Sequence, residues 1–474
     1  MARGGGSGED GAELWQPPPW REVFQGALGR LTAGLLLLEA LVAVEALIVI
    51  TILPAVRRDL GGIQFYGWAF SATSLATFAS IPIGGRAMDR YGPRKPLGLM
   101  LIVYVAGLVV AGLAPSMPVL AIGRFVQGCA AGVFYSVSLG TVAKSYPQRI
   151  RPRVLALLAS MWVLPGLFGP PFGALLATTV GWRWAFLAPL PILFVIAALI
   201  LPAMPDVAGD ADAGKLPVRW PVQLMVGAGL FLAGLTEPSW WSLLMIPIGL
   251  AVGLPALSRI APAGWLRARP GLPAAAAAAF LLSAAFFAVD GFVPLMLTEV
   301  RGLSVAEASI VVTLATVAWA LGSWWQSRNI GRVGVPALVA GGAAVVAGGT
   351  VAVATGLTSA PIIVAYAGWG IAGIGMGVAF PTVPLAAMTE ASEGSEAGDL
   401  SAILLTDTLG VGLGVGLGGA SIAIAEATGK GLKPGIAGAF VVGLLAALAA
   451  IAVARRLPGG GPPAAGGRPI DSAA

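Results

Sequence analysis

The sequence contains no histidine, one cysteine and few charges: Asp, Glu, Lys and Arg make up only 11% of its 474 residues. Without histidine, proton chemistry must run on carboxylates, and a metal site built on imidazole is excluded. A lone Cys129 cannot close an intrachain disulfide, so the redox compartment is not readable. The shortage of charge excludes a water-soluble globule, since soluble domains carry about a quarter charged residues. With no histidine, no usable cysteine and no soluble domain, an enzyme is not expected, and nothing calls for a cofactor.

What is abundant is apolar length. Hydrophobic residues make up 57% of the chain and the mean hydropathy is +0.88. Apolar runs of about 20 residues match the hydrocarbon core of a bilayer, so the chain is expected to be an all-α, polytopic membrane protein. Six spans are predicted near 31–54, 67–85, 96–115, 119–142, 153–178 and 184–202, and six more near 272–297, 306–327, 335–356, 361–388, 399–426 and 434–454. Two shorter runs, 221–236 and 240–257, lie between the sets, giving fourteen spans, or twelve without that pair. The expected organisation is a tail (1–30), a six-helix bundle (31–204), a linker with two extra helices (205–270), a second six-helix bundle (271–456) and a disordered tail (457–474). The N-terminal tail has no cleavable signal pattern, so the first apolar run is expected to stay in the membrane.

The net charge of +6 does not signal nucleic acid, because Lys and Arg sit in short loops between spans. Twenty-one of them collect on one side, six on the other, and Arg124 lies within a span. The positive-inside rule then places both termini in the cytoplasm. An internal repeat supports two halves. At a spacing of 240, Pro54 recurs as Pro294, Asp59 as Glu299 and Gly62 as Gly302; at 242, Arg86, Arg90 and Gly92 recur as Arg328, Arg332 and Gly334. Gly331 stands opposite Asp89.

Charges inside spans cost roughly 2.5–3.5 kcal/mol each on insertion scales and so mark candidate functional residues. Glu39 and Glu45 lie in the first span, Arg124 in the fourth, Asp290 in the first span of the second set and Asp407 in the penultimate one. Glu39 and Glu45 are six residues apart, about 240° around a helix, and do not share a face. Glu45 is the expected coupling residue. Glu39 is either a second functional acid or a charge snorkelling to the interface. A buried Arg124 needs an anionic partner, and protonating that partner weakens the pair; the alternative is a static ion pair locking helices. Asp290 and Asp407 could neutralise a substrate cation. Alternatively, Asp290 is a helix-end charge near Gly291, and Asp407 bonds to Thr406 or Thr408. The acids Glu390, Glu393, Glu396 and Asp399 read as a solvated loop with no site.

Five charges fall within Gly85–Lys95, between two apolar runs, and read as a short solvated turn in which glycines reverse the chain. Gly85, Asp89, Arg90, Gly92, Arg94 and Lys95 resemble the loop motif of the major facilitator superfamily, G-x-L-a-D-r-x-G-r-k, with Ala87 and Pro93 departing from it. Gly123-Arg124-Phe125-Val126-Gln127-Gly128 resembles that family's fourth-span motif. Gly169, Pro170 and Gly173 resemble the fifth-span motif of its antiporters, with Pro165 replacing the usual upstream glycine and Gly166 one place late. Trp182-Arg183-Trp184-Ala185-Phe186, with Pro191, is similar to a signature of the fourteen-span drug:proton antiporters. The frame Glu45 to Pro54 resembles their first-span motif, with Glu for Asp and with Leu47 and Ile50 where Thr and Asn are usual.

The resemblance implies the major facilitator fold: two parallel six-helix bundles plus two extra central helices. It implies a secondary active transporter exporting small lipophilic or cationic compounds in exchange for protons, with the loop around Asp89 and Arg90 latching the halves. A transporter of a metabolite, lipid or nutrient on the same fold is the nearest alternative, and a non-transporting membrane scaffold or receptor a more distant one. Partners are then a small-molecule substrate, protons and the lipid bilayer of a cell membrane, with a monomer expected. The Ala/Gly/Pro-rich composition suggests a bacterial source. The glycines between Gly410 and Gly419, with Gly373, Gly375 and Gly377, read as helix-packing positions.

Overall fold

The computed structural model describes residues 20–205, 209, 218–236, 240–388 and 396–458, and among these all regular elements are helical. The first half consists of α1 (Gly26–Leu60), α2 (Trp68–Tyr91), α3 (Arg94–Gly112), α4 (Met117–Ser145), α5 (Val163–Thr179) and α6 (Pro189–Ala203). Two further helices follow, α7 (Arg219–Thr236) and α8 (Ser242–Ile260). The second half is α9 (Leu272–Asp290), α10 (Val305–Val333), α11 (Val335–Ala354), α12 (Ile362–Ala379), α13 (Glu396–Ala427) and α14 (Leu432–Ala454). Twelve described helices are long and apolar enough to cross a membrane. The other two of the fourteen, α2 and α7, are packed among them. Most of the linker 205–219, the acids Glu390 and Glu393, and the tails 1–19 and 459–474 lie outside the described residues.

Among the described spans, three are broken about four residues before a proline, and a fourth, Trp184–Ala203, is interrupted at Ala188 just ahead of Pro189 and Pro191. The helix Arg151–Ser160 stops short of α5 near Met161, ahead of Pro165. Helix α9 ends at Asp290, ahead of Pro294 in the continuation Val293–Glu299. Helix α12 ends before Phe380, ahead of Pro384 in Thr382–Met388. Proline lacks the N–H that would bond the carbonyl four residues back. Pro54 and Pro82 nevertheless sit inside unbroken helices.

The charged block Gly85–Lys95 departs from the expected turn. Helix α2 runs on to Tyr91, α3 begins at Arg94, and the reversal is confined to Gly92 and Pro93. Gly85 keeps helical backbone, and only Gly92 takes positive φ, +74°. The ladder extends beyond the apolar run because nothing in Arg86–Tyr91 breaks it. Gly334 ends α10 in nearly the same conformation, φ 82° and ψ 155° against 74° and 167° at Gly92. The repeat seen in sequence is therefore also a repeat of backbone geometry.

Close packing rests on small residues and hydroxyls. A Cβ added to Gly128 or Gly132 of α4 would stand 2.3 or 2.4 Å from the Thr73 or Thr77 carbonyl of α2. Thr73 Oγ1 donates to the Arg124 carbonyl at 3.1 Å and Thr77 Oγ1 to that of Gly128 at 3.2 Å. This is small-residue packing of the kind membrane helices use.

The halves meet along two seams, α2 against α13 and α5 against α10. At the first, Gly67 and Gly419 face each other so closely that a Cβ on either would stand within 2.7 Å of the other's Cα. At the second, Gly166 faces Thr316. Helices α7 and α8 pack together through Gly227, Gly249 and Gly253, and α7 lies over the first seam. Leu224, Ala228 and Leu232 of α7 share one apolar cluster with Leu75 and Phe78 of α2 and Leu409 of α13.

Candidate functional site

Helix α1 is apolar almost throughout, so Glu45 is carried into the interior, where it is 4% exposed. Arg124 reaches it from α4, Nη1 to Oε1 at 2.5 Å. The other carboxylate oxygen accepts from the Tyr104 hydroxyl of α3, also at 2.5 Å. The Arg124 guanidinium donates further to Gln127 Oε1, at 2.8 Å, and to the Ala69 carbonyl of α2, at 3.1 Å. Three helices thus converge on one acid, and a fourth supplies a carbonyl to its arginine. The charge is buried but paired and hydrogen-bonded, the condition under which such a pair persists in low dielectric. Gln127 Nε2 is buried and finds no acceptor among the described residues.

The remaining in-span acids lie apart from this pair. Glu39 is half-buried and accepts from Trp162 Nε1 at 2.9 Å, at the break before α5. Asp290 is 3% exposed and accepts from Trp369 Nε1 of α12 at 2.7 Å, so it is a buried acid at the end of α9, within a span rather than at its surface. Phe286, one turn back, stacks on the Trp369 ring at 4.7 Å, and Trp319 meets Phe286 edge-on at 5.3 Å. Asp407 takes its hydrogen bond from Ser283 of α9. Thr406 and Thr408, the alternative partners, donate instead to carbonyls of their own helix. Glu39, Tyr135 and Asp407 are all half-buried.

The motif residues are structural contacts in this arrangement. Asp89 pairs with Lys144 of α4 at 2.7 Å, inside the first half and in water. Arg94 and Lys95 open α3 and are exposed, and Arg90 stays near Tyr91. The two ion pairs joining the halves, among the described residues, lie at the opposite end, where Glu299 takes Arg57 Nη1 at 2.5 Å and Arg58 Nε at 2.7 Å. Gly169 and Gly173 of α5 let α1 approach at Val44, Leu47 and Ile48, and Pro170 is buried between them. Trp182 and Arg183 both donate to Asp59, at 3.0 and 2.7 Å, tying the end of α1 to the α5–α6 turn.

Sequence reasoning passed over Tyr104, Trp369, Ser283 and Trp162, the neutral partners of the acids. The available signal was position. Tyr104 and Trp369 sit mid-span, away from the interfaces where Tyr and Trp collect, and the chain has only six tyrosines.

A probable multidrug-efflux transporter of Mycobacterium tuberculosis is 26% identical over 483 residues, covering 93% of this chain and 98% of its own. The multidrug transporter protein MdtP of Bacillus subtilis is 23% identical over 391 residues, 77% of this chain and 70% of that one. A bacterial homologue of the human lysosomal transporter Spinster, in an inward-facing, unoccupied conformation, superposes with a TM-score of 0.65 at 15% identity, covering 94% and 98% of the two chains. A D-xylose-proton symporter gives 0.64 at 14% identity, covering 92% and 99%. Such identities speak for the fold alone. The profile of the Major Facilitator Superfamily matches residues 35–415, and the chain belongs to that family of membrane transporters.

Proposed function

We propose that the protein is a proton-coupled exporter of small lipophilic or cationic compounds. The observation that carries this reading is the buried pair of Glu45 and Arg124. A membrane interior tolerates such a pair at considerable cost, and a carboxylate held there is a place where binding one proton changes helix contacts. Protonated Glu45 loses its attraction for Arg124, which is then left to Gln127 and the Ala69 carbonyl. Helices α1 and α4 are thereby freed to move relative to each other.

Substrate enters between the halves from the side bearing the chain ends, which the positive-inside rule makes cytoplasmic. The opposite end is closed by Arg57 and Arg58 on Glu299 and by Gly67 against Gly419. Asp290, with the Phe286, Trp319 and Trp369 rings beside it, and Asp407 face substrate charge, while Glu39 and Tyr135 line the route. The named activities of the mycobacterial and Bacillus relatives support efflux of drug-like compounds. The reading requires only a monomer.

The test is ethidium uptake into inverted membrane vesicles under an imposed pH gradient. Uptake that an uncoupler abolishes, and that Glu45→Gln lacks, is the expected result. Normal uptake by folded Glu45→Gln would remove Glu45 from the mechanism. No ethidium movement by folded wild-type protein would instead favour a dedicated metabolite or lipid transporter.

A further inference from the structure

A cleft of about 300 Å³ opens where α8 gives way to α9, at the end of the bundle where α14 also finishes. Trp265, Leu266, Arg267 and Arg269 line it. The connecting loop is held on several sides. Gly264 turns with φ +88°, and the Arg269 stem packs so closely over it that an added Cβ would stand 2.6 Å from Arg269 Cδ. Arg456, just beyond α14, donates to the carbonyls of Arg267 and Ala268. Trp265 is wedged edge-on against Phe280 at 5.4 Å. Its indole nitrogen is buried and has no acceptor among the described residues.

The charge here is one-sided. No Asp or Glu occurs from residue 238 to residue 289. Among the described residues, Arg259, Arg267, Arg269, Arg455 and Arg456 form no ion pair. Beside the two arginines of the cleft, Leu266 is 76% exposed. Guanidinium groups on a fixed loop suit an anion with several acceptor oxygens. An adjacent bare leucine suits hydrocarbon. Level with the ends of two membrane-spanning helices, an anionic phospholipid offers both, and basic clefts at this depth are where such headgroups bind.

We propose that this cleft binds the headgroup phosphate of an anionic phospholipid, held by Arg267 and Arg269 with Leu266 against the acyl chains. A free phosphoester would satisfy the arginines but leave Leu266 in water. The site is independent of the transport cycle proposed above and stands or falls without it.

The test uses the full chain in mild detergent, titrated with phosphatidylglycerol or phosphatidylcholine and weighed intact by native mass spectrometry. Phosphatidylglycerol should be retained in preference to phosphatidylcholine. Replacing both arginines, Arg267→Ala with Arg269→Ala, should lower its affinity roughly 25-fold. Leu266→Ser should weaken the lipid also, while Lys433→Ala, at the other end of the bundle, should leave it unchanged. Should the double variant fail to fold, Arg267→Gln, which keeps the backbone anchor to Arg456, should still lower affinity about fivefold. Equal retention of the two lipids, or no loss in folded arginine variants, would overturn the proposal. So would displacement of phosphatidylglycerol by millimolar glycerol 3-phosphate, which would make the ligand a soluble phosphoester.

Discussion

Asp59 and Glu299 occupy equivalent positions in the two halves, yet they bond in different directions. Asp59 turns inward to Trp182 and Arg183 of its own half, whereas Glu299 crosses to Arg57 and Arg58 of the other. One copy of the repeat fastens a half to itself; the other fastens the halves together. Glu299→Gln should therefore loosen that end of the molecule. The arginines are 27% and 48% exposed, so screening limits the effect to about 1 kcal/mol, or about a fivefold shift toward the conformer open at that end. Spin labels at Gln64 and Lys430 should report a larger population of long distances. Unchanged distances would show that the latch carries no conformational energy.

Breaking the interior pair should have a larger and more particular effect. Arg124→Gln leaves Glu45 buried with only Tyr104 as a partner, and loss of one member of a buried pair costs about 3–5 kcal/mol. The double variant Glu45→Gln with Arg124→Gln removes both charges and should recover most of the lost thermal stability. It should not recover proton-dependent transport. Recovery of both properties would make the pair a static brace.

Two glycines distinguish packing within a half from packing between halves. Gly132→Ala places a methyl against the Thr77 carbonyl inside the first half and should destabilise by about 1–3 kcal/mol without favouring either conformer. Gly419→Ala places a methyl against Gly67 across the seam. It should favour separation of the halves at that end, seen with the same pair of spin labels. If both variants shift the distances alike, the seam is not a moving surface.

Trp369→Phe removes the one donor that Asp290 receives among the described residues and should cost about 1–3 kcal/mol in thermal unfolding. Asp290→Asn keeps an acceptor for the indole and should leave stability near wild type. In export assays, Asp290→Asn should slow a lipophilic cation more than a neutral compound of similar size. Equal slowing would assign Asp290 to architecture.

The membrane architecture was readable because single charges stand out in long apolar runs. Glu45 and Arg124 could be named for the same reason, although their pairing across 79 residues could not. Tyr104 and Trp369 escaped because an aromatic residue in a span is ordinary until its polar tip is seen to have one buried partner. Proline was visible at every position, yet Pro165, Pro189, Pro294 and Pro384 follow breaks, while α1 and α2 stay continuous through Pro54 and Pro82. Packing of neighbouring helices decides between those outcomes, and a local reading does not contain it. The block Gly85–Lys95 was misread for a related reason: charge marked where the membrane ends, but not where the helix does.

Because α7 rests on helices from both halves, the order of synthesis has a direction. The ribosome delivers α2 and then the α7–α8 hairpin long before α13 exists, and the early segments can associate as they emerge. The hairpin then stands beside α2 as one wall of a slot, with Leu224, Ala228 and Leu232 already in place. Helix α13, next to last in the chain, packs against both α2 and α7. A pair of helices that looks like an insertion between two finished units thus lies across the joint between them.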